Sequence, residues 1–149
     1  MHYTDLFSLS TMTLCTVNPA GEPHAAPVYF VAYQSKQSGD PPRLYFFSES
    51  DSRHGQDIAA LGIASAAIYP ETQSWQDIRG LQLRGLVRRI PKSQPEWQAA
   101  WELYQQKFPF VSAFLKAVDK SELYVLTPVW IRLVNNRLGF GFKREWTFT

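Results

Sequence analysis

Polar and apolar residues alternate over much of the chain as far as Ile90, and this period of two predicts β-strands. The segment Thr11–Val17 is rich in β-branched residues, and a second strand is predicted from His24 to Tyr33. The turn between them contains Pro19 and Gly21, so the two strands are expected to form a hairpin. Prolines 23 and 27 lie at the start of and within the second strand. Because proline has no backbone N–H to donate to a neighbouring strand, the second strand is expected at a sheet edge or a bulge.

Three further strands are predicted in the centre of the chain. The segment Leu44–Ser48 is aromatic, Ile63–Tyr69 consists largely of small and β-branched residues, and Leu81–Ile90 alternates clearly. Between the first two, a run of small polar residues leads into an apolar-periodic segment, which predicts a helix. The loop from Pro70 to Asp77 separates the other two strands.

The start of this central helix is the first candidate for a binding site. Asp51 or Ser52 is expected to cap the helix, with Ile58 and Leu61 on its buried side. A helix N-terminus presents free N–H groups that suit a phosphate or carboxylate, and the guanidinium of Arg53 would add donors of matching geometry. The simpler interpretation of these residues alone is a capped helix with a surface arginine.

After Pro91 the period changes to that of a helix. Apolar residues recur at helical spacing on one stripe: Trp97, Trp101, Tyr104 and Phe108. We expect this stripe to pack on a sheet or barrel. Pro109 interrupts the helix, and a second short helix is predicted from Phe110 to Val118.

The remaining elements complete a mainly β chain. A strand is predicted over Glu122–Val134, a last short strand around Trp146, and a short helix near Leu6. About six strands and two or three helices in 149 residues predict a single domain, 1–149. The predicted fold class is mainly β, a β-barrel with flanking helices.

Composition narrows the classes of function. The net charge is only +2 and the basic residues form no run, so nucleic acid is not an expected partner. No segment approaches the length of a membrane span, and Cys15 is the only cysteine, so a soluble cytoplasmic protein is expected. Aromatic residues make up 15% of the chain, which favours large flat surfaces in a core, at an interface or against a planar ligand.

No catalytic set of side chains emerges from the sequence. His2, His24 and His54 lack the spacing of metal ligands, so no metal site is predicted. No Ser/His/Asp set or phosphate-binding glycine motif can be identified, and catalytic residues therefore stay unknown. A bound cofactor is the better hypothesis for any enzymatic activity.

The order of these elements resembles the pyridoxamine 5′-phosphate oxidase-like family of FMN-binding split barrels. The likeness covers most of residues 11–90: the hairpin, the Leu-Tyr-Phe-Phe-Ser strand, Ser52-Arg53-His54 at a helix start, and the strand that begins Arg79-Gly80-Leu81-Gln82. The segment from Leu123 to Lys143 resembles a small, uncharacterised bacterial subgroup of that family.

The resemblance implies an FMN site. In the family, a Ser-Arg-Lys triplet holds the FMN phosphate, and this chain has His54 in place of the lysine. A Tyr-Thr pair that lies along the flavin is matched by Phe47-Ser48, and the strand bordering the flavin ring is matched by Ala26–Phe30. An Arg-Gln pair becomes Arg79-Gly80, and Gln82 on the same strand face is expected to substitute. The implied cofactor-binding residues are Pro27, Val28, Tyr29, Phe47, Ser48, Ser52, Arg53, His54, Arg79 and Gln82.

The resemblance further implies a homodimer with FMN in a groove between two barrels, and a small-molecule substrate. The leading hypothesis is an FMN-dependent oxidoreductase. Pyridoxine phosphate oxidase activity is not expected, because the tail Gly141–Trp146 does not reproduce the Arg- and His-containing stretch of the true oxidases. The alternatives are a flavin- or haem-binding carrier without turnover, and an empty barrel that binds a partner through its aromatic surface.

Overall fold

The computed structural model describes residues 1–149. Its eight strands are Thr11–Val17 (β1), Pro23–Tyr29 (β2), Val31–Tyr33 (β3), Arg43–Ser48 (β4), Ile63–Ile68 (β5), Arg79–Ile90 (β6), Glu122–Asn135 (β7) and Lys143–Thr147 (β8). The α-helices are Arg53–Leu61 (α1), Pro95–Lys107 (α2) and Leu115–Asp119 (α3). Short 3₁₀ helices cover Tyr3–Leu6, Trp75–Asp77, Pro109–Phe114 and Asn136–Leu138.

The strands form one antiparallel sheet that curls into a barrel. The order is β2-β1-β5-β6-β7-β4-β3, and β8 pairs with the second half of β7. The strands at the two ends of this order, β2 and β3, are consecutive in the chain and joined at Phe30. One continuous segment therefore pairs with β1 at its start and with β4 at its end, which brings the two sheet ends together.

The predicted strand His24–Tyr33 is thus two strands, because its pairing partner changes at Phe30. As the prolines predicted, β2 is an edge strand: it pairs with β1 only, and its other edge pairs with no strand. The split between β2 and β4 is the opening of the barrel.

Buried, inward-facing side chains from five strands (β1, β4, β5, β6 and β7) fill the barrel. The largest fully buried ones include Phe30, Phe46, Leu14, Leu81 and Leu126. The 3₁₀ helix Tyr3–Leu6 also packs into this core, and α1 contributes Ile58. Leu61, predicted on the buried side of α1, is 41% exposed, because the helix ends there and the chain turns at the left-handed Gly62.

A second hydrophobic cluster lies outside the barrel, under α2. Buried Tyr104 and Phe108 of the predicted aromatic stripe pack with outward-facing residues of β4 and β7, and Trp97 and Trp101 are half-buried against the same cluster. The prediction that this stripe packs on the barrel is confirmed. Residues after Pro109 form a 3₁₀ helix and then α3, where one short helix was predicted.

A β-bulge between β6 and β7 reverses the direction of the β7 side chains. Arg84 pairs with Trp130 and Gly85 pairs with Pro128, which leaves Val129 as the extra residue. A side chain at Gly85 would collide with the backbone of Thr127, so the bulge requires glycine there.

None of the helices has the length and apolar character needed to span a bilayer.

Candidate functional site

The start of α1 is built by a tightly folded turn. Ser52 is the N-cap: its Oγ accepts a hydrogen bond from the Gly55 N–H at 3.1 Å and donates to the Glu49 carbonyl at 2.7 Å. A Cβ on Gly55 would lie 2.7 Å from the Glu49 carbonyl oxygen and 2.8 Å from that of Ser50. The turn therefore depends on Gly55, and it leaves the N–H groups of Arg53 and His54 without an acceptor in the chain.

Three of the predicted cofactor-binding residues come together here. Ser48, at the end of β4, forms a hydrogen bond through its Oγ with Nε2 of His54, and its Oγ lies 3.5 Å from that of Ser52. The His54 ring is 8% exposed, and its Nδ1 is buried without a hydrogen-bond partner. Two hydroxyls and one imidazole thus converge on a helix N-terminus.

The charge state of His54 follows from its surroundings. Burial lowers the pKa of His54 below its ordinary 6.5, and the neighbouring ring of His24 lowers it further, while Asp57 acts in the opposite direction. The His24 and His54 rings stack with centroids 6.0 Å apart. His54 is therefore neutral at pH 7.

Arg53 joins α1 to the β-hairpin. Its Nε donates to Asp57 Oδ1 at 3.2 Å, and its Nη2 donates to the Glu22 carbonyl at 3.2 Å. The second carboxylate oxygen of Asp57 accepts a hydrogen bond from the Thr16 hydroxyl at 2.7 Å. Burial of Asp57 favours its neutral form, but the bonds from Thr16 and Arg53 outweigh it and lower the pKa of Asp57. The guanidinium is held at the helix start with one side exposed.

The segment predicted to border a ring lies on β2. Pro27 and Tyr29 point outward and are exposed, whereas Val28 points inward and packs against the barrel core. Because the edge of β2 that faces the split carries no partner strand, its backbone groups are open to a ligand.

Phe47 lies elsewhere. It points outward from β4 and packs edge-on against Trp97, Trp101 and Tyr104, with ring centroids 6.2, 5.7 and 5.0 Å away. Although adjacent to Ser48 in sequence, its side chain belongs to the cluster under α2. The structure does not bring it to the α1 N-terminus.

Arg79 and Gln82 lie on β6, across the sheet from β2. Pairing aligns Gln82 with Ala67, Thr13 and Pro27 in a single row on the outer face. Three strand spacings of about 4.8 Å place Gln82 roughly 14 Å from Pro27. Arg79 lies at the beginning of β6, where its Nε is buried without a partner. These two residues are therefore not neighbours of Ser52.

The sequence did not identify His24, Thr16 or Asp57 as part of this region. Two signals were available: His24 lies an even number of residues from the inward-facing Val28 on the same strand, and Asp57 follows Arg53 by four residues on a helix.

An outer-face groove of about 480 Å³ was also not predicted. It is lined by Cys15, Val17, Pro23, Ile63, Leu86 and Val129, with Arg84 at one side. The structure contains no group of three or more metal-ligating side chains.

Comparison with known sequences gives a family match over most of the chain. Residues 5–135 match the family model described as pyridoxamine 5′-phosphate oxidase. A UPF0306 protein from Cronobacter sakazakii is 31% identical over 103 residues, which cover 69% of this chain and 67% of that protein. The UPF0306 protein YhbP from Salmonella schwarzengrund is 29% identical over 109 residues, with 69% and 65% covered. The match thus spans about two thirds of each relative.

Solved structures share the fold at lower identity. A haem-binding protein from Mycobacterium smegmatis has a TM-score of 0.73 at 23% identity, covering 94% of this chain and 53% of that one. HutZ, the haem storage protein from Vibrio cholerae, has a TM-score of 0.68 at 14% identity, covering 84% and 86%. A pyridoxamine 5′-phosphate oxidase-related, FMN-binding protein from Nostoc punctiforme has a TM-score of 0.64 at 15% identity, covering 99% and 91%. The predicted split-barrel fold is confirmed.

Proposed function

The chain belongs to the pyridoxamine 5′-phosphate oxidase family, and from this premise we propose that it binds FMN and acts as a flavin-dependent oxidoreductase on a small substrate. The observation that carries the proposal is the position of the α1 N-terminus at the end of the barrel where β2 begins and β4 ends. An anion site and an open strand edge suit the two ends of a flavin nucleotide.

The phosphate end is supported by the donors at the start of α1. The N–H groups of Arg53 and His54 have no acceptor, and the helix dipole favours an anion there. The Ser48 hydroxyl and the unpartnered Nδ1 of His54 add polar groups, and the Ser52 hydroxyl, which donates to the Glu49 carbonyl, holds the turn in place. The exposed side of the Arg53 guanidinium completes the set, while Asp57 and Glu22 hold that side chain in place.

The ring end is supported by β2 and its neighbours. The backbone from Pro27 to Tyr29 offers hydrogen-bonding groups on the edge without a partner strand. On the other side of β2, small side chains at Thr13 and Ala67 separate Pro27 from Gln82 on the outer face, which leaves a flat surface over β1 and β5. We assign Pro27, Val28, Tyr29 and Gln82 to this end of the site.

FMN would supply the electron transfer, and the chain would supply binding, orientation and shielding from water. We do not propose pyridoxine phosphate oxidation. The tail that would have to grip that substrate is strand β8, where Glu145 pairs with Arg132 and Arg144 lies over the Trp146 ring.

A second copy of the chain is part of this proposal. The outer-face groove is apolar, and Ile63 and Leu86 beside it are 45% and 61% exposed. Two such faces, related by a twofold axis, would cover these side chains and enclose the flat surface at Thr13 and Ala67. Light scattering is expected to give about twice the 17.1 kDa of the chain; a monomer that binds FMN would contradict the shared site.

Haem carriage is the second candidate. A buried histidine with one free ring nitrogen, as in His54, is a possible ligand for haem iron. Two proteins of the same fold are haem-binding or haem-storage proteins.

The visible spectrum of the protein as isolated tests both candidates. Absorbance bands of a flavin, or quenching of flavin fluorescence when FMN and the protein are titrated together, would support the proposal. A haem absorbance band in place of the flavin bands would favour the carrier. Bleaching by a reduced nicotinamide nucleotide and recovery in air would establish turnover. Tight binding of haemin without measurable binding of FMN would contradict the proposed function.

A further inference from the structure

We propose that phosphate binding at the start of α1 takes up one proton, which His54 holds in the complex. This inference rests on the proposed function and concerns how the same site is regulated. It makes flavin affinity depend on pH, so that the cofactor is retained near neutral and acidic pH and released on the alkaline side.

The geometry of His54 supplies the reason. Its ring is enclosed, its Nε2 contacts Ser48, and its Nδ1 has no partner. While the ring is neutral, one ring nitrogen has no hydrogen: either the Ser48 hydroxyl donates to Nε2 and Nδ1 carries the hydrogen, or Nε2–H donates to Ser48 and Nδ1 is bare. After protonation both nitrogens donate. Nε2 then donates to Ser48, so Nδ1–H and the Ser48 hydroxyl hydrogen are both available to phosphate oxygens, where the neutral ring leaves only one of them available.

Protonation therefore adds a donor as well as a positive charge to the site. Nδ1–H can donate to the phosphate directly, and the Ser48 hydroxyl can donate beside it. Charge-assisted bonds of this kind are stronger than neutral ones. Without phosphate, no bound anion offsets the unfavourable burial of a charged ring, and burial keeps His54 neutral.

The groups around His54 limit the uptake to one proton. His24 of β2 faces it at 6.0 Å between centroids, and a charge on either ring disfavours a charge on the other. Asp57 of α1 favours the charged ring but is already bound to Arg53 and Thr16. The carboxylates of Glu49 and Asp51, in the turn before α1, are exposed. The phosphate dianion of FMN is therefore the strong negative charge that ligand binding brings to His54.

Calorimetry measures this proton directly. FMN is titrated into the full chain at pH 7.5 in buffers of different ionisation enthalpy. At about 1.5 pH units above the second pKa of a phosphate monoester, near 6, the free ligand is almost entirely dianionic. The slope of the apparent enthalpy is expected to show uptake of up to about one proton per FMN, and affinity is expected to rise by up to about tenfold per pH unit of acidification.

Three variants and one ligand serve as controls. Riboflavin lacks the phosphate and is expected to bind without proton uptake. His54→Lys keeps a cation and is expected to bind FMN with no uptake at pH 7.5, and His54→Gln is expected to bind more weakly, also without uptake. His24→Asn is expected to retain the uptake. Its loss in His24→Asn but not in His54→Gln would assign the proton to His24 and overturn the inference.

The outcomes separate the two proposals. FMN binding with no proton uptake by the natural chain, or with equal uptake by His54→Lys, overturns this inference and leaves the proposed function standing. Absence of FMN binding at both pH 6 and pH 7.5 overturns both.

Discussion

Lys107 Nζ, in the last turn of α2, donates to the Phe30 carbonyl at 2.8 Å and lies 4.0 Å from the centroid of the Phe30 ring. The same ammonium donates to the carbonyls of Phe7 and Leu9 at 3.0 and 2.7 Å. One lysine thus ties α2 and the N-terminal segment to the residue where β2 becomes β3. Burial lowers the pKa of Lys107 to about 8, so the ammonium is charged at pH 7.

Lys107→Met is expected to lower the free energy of unfolding by about 2–4 kcal/mol, because three carbonyls lose a charged donor and methionine offers none. Urea unfolding measures the change. Lys116→Met alters an exposed lysine of α3 and is expected to stay within about 0.5 kcal/mol. A similar small effect of Lys107→Met would mean that the barrel closes without this contact.

The strands could be predicted from local alternation, but the closure of the barrel could not. The interruption at Phe30 depends on a change of pairing partner from β1 to β4 and on Lys107, 77 residues further along the chain. Nothing in the pattern from His24 to Tyr33 contains that information. For the same reason the sequence predicted one strand where the structure has two.

The candidate site was predictable where it is local. Ser48, Ser52 and His54 lie within one strand end and the first turn of the next helix, so sequence spacing brings them together. Whether Gln82 approaches Pro27 depends on the registers of three strand pairs, which local patterns do not fix. The resemblance named these residues, but only the register gives their separation.

Trp101→Ala is expected to lower the free energy of unfolding by about 2–3 kcal/mol. This is less than the loss for a fully buried tryptophan, because the Trp101 side chain is half-buried against Phe47 and Tyr104. The melting temperature is expected to fall by roughly 5–10 °C. Phe114→Ala, at a residue 58% exposed, is the aromatic control and is expected to change stability by less than about 1 kcal/mol. An unchanged melting temperature with loss of FMN would instead place Trp101 in the binding site.

The stability of the ligand-free protein is expected to depend on His54 in mildly acidic solution. Its folded pKa is below 6.5, so between the two values the unfolded chain binds more protons than the folded one. The contribution is fully present above pH 6.5 and is lost as the pH falls through the folded pKa, with a slope of at most about 1.4 kcal/mol per pH unit.

Urea unfolding between pH 7.5 and 5 in phosphate-free buffer measures this loss in the natural chain and in His54→Gln. The variant is expected to lose less stability over the same range. Burial also lowers the pKa of His2, so His2→Gln measures the share of the loss that comes from His2. Parallel curves for His54→Gln and the natural chain would exclude His54 as the source.

Arg53 distinguishes a phosphate site from a capped helix. If its guanidinium contacts the phosphate, Arg53→Ala removes charge-assisted bonds worth about 1.5–3 kcal/mol, so FMN affinity is expected to fall roughly 10- to 150-fold. Riboflavin affinity is expected to change little, because riboflavin has no phosphate. The substitution also removes the partner of Asp57, and unfolding without ligand must therefore be measured alongside. Arg137→Ala breaks an exposed ion pair with Asp77 and is expected to leave both affinities unchanged. Equal losses for FMN and riboflavin in Arg53→Ala would indicate general damage to the helix start, and no loss for either would reduce Arg53 to a surface residue that ties α1 to the hairpin.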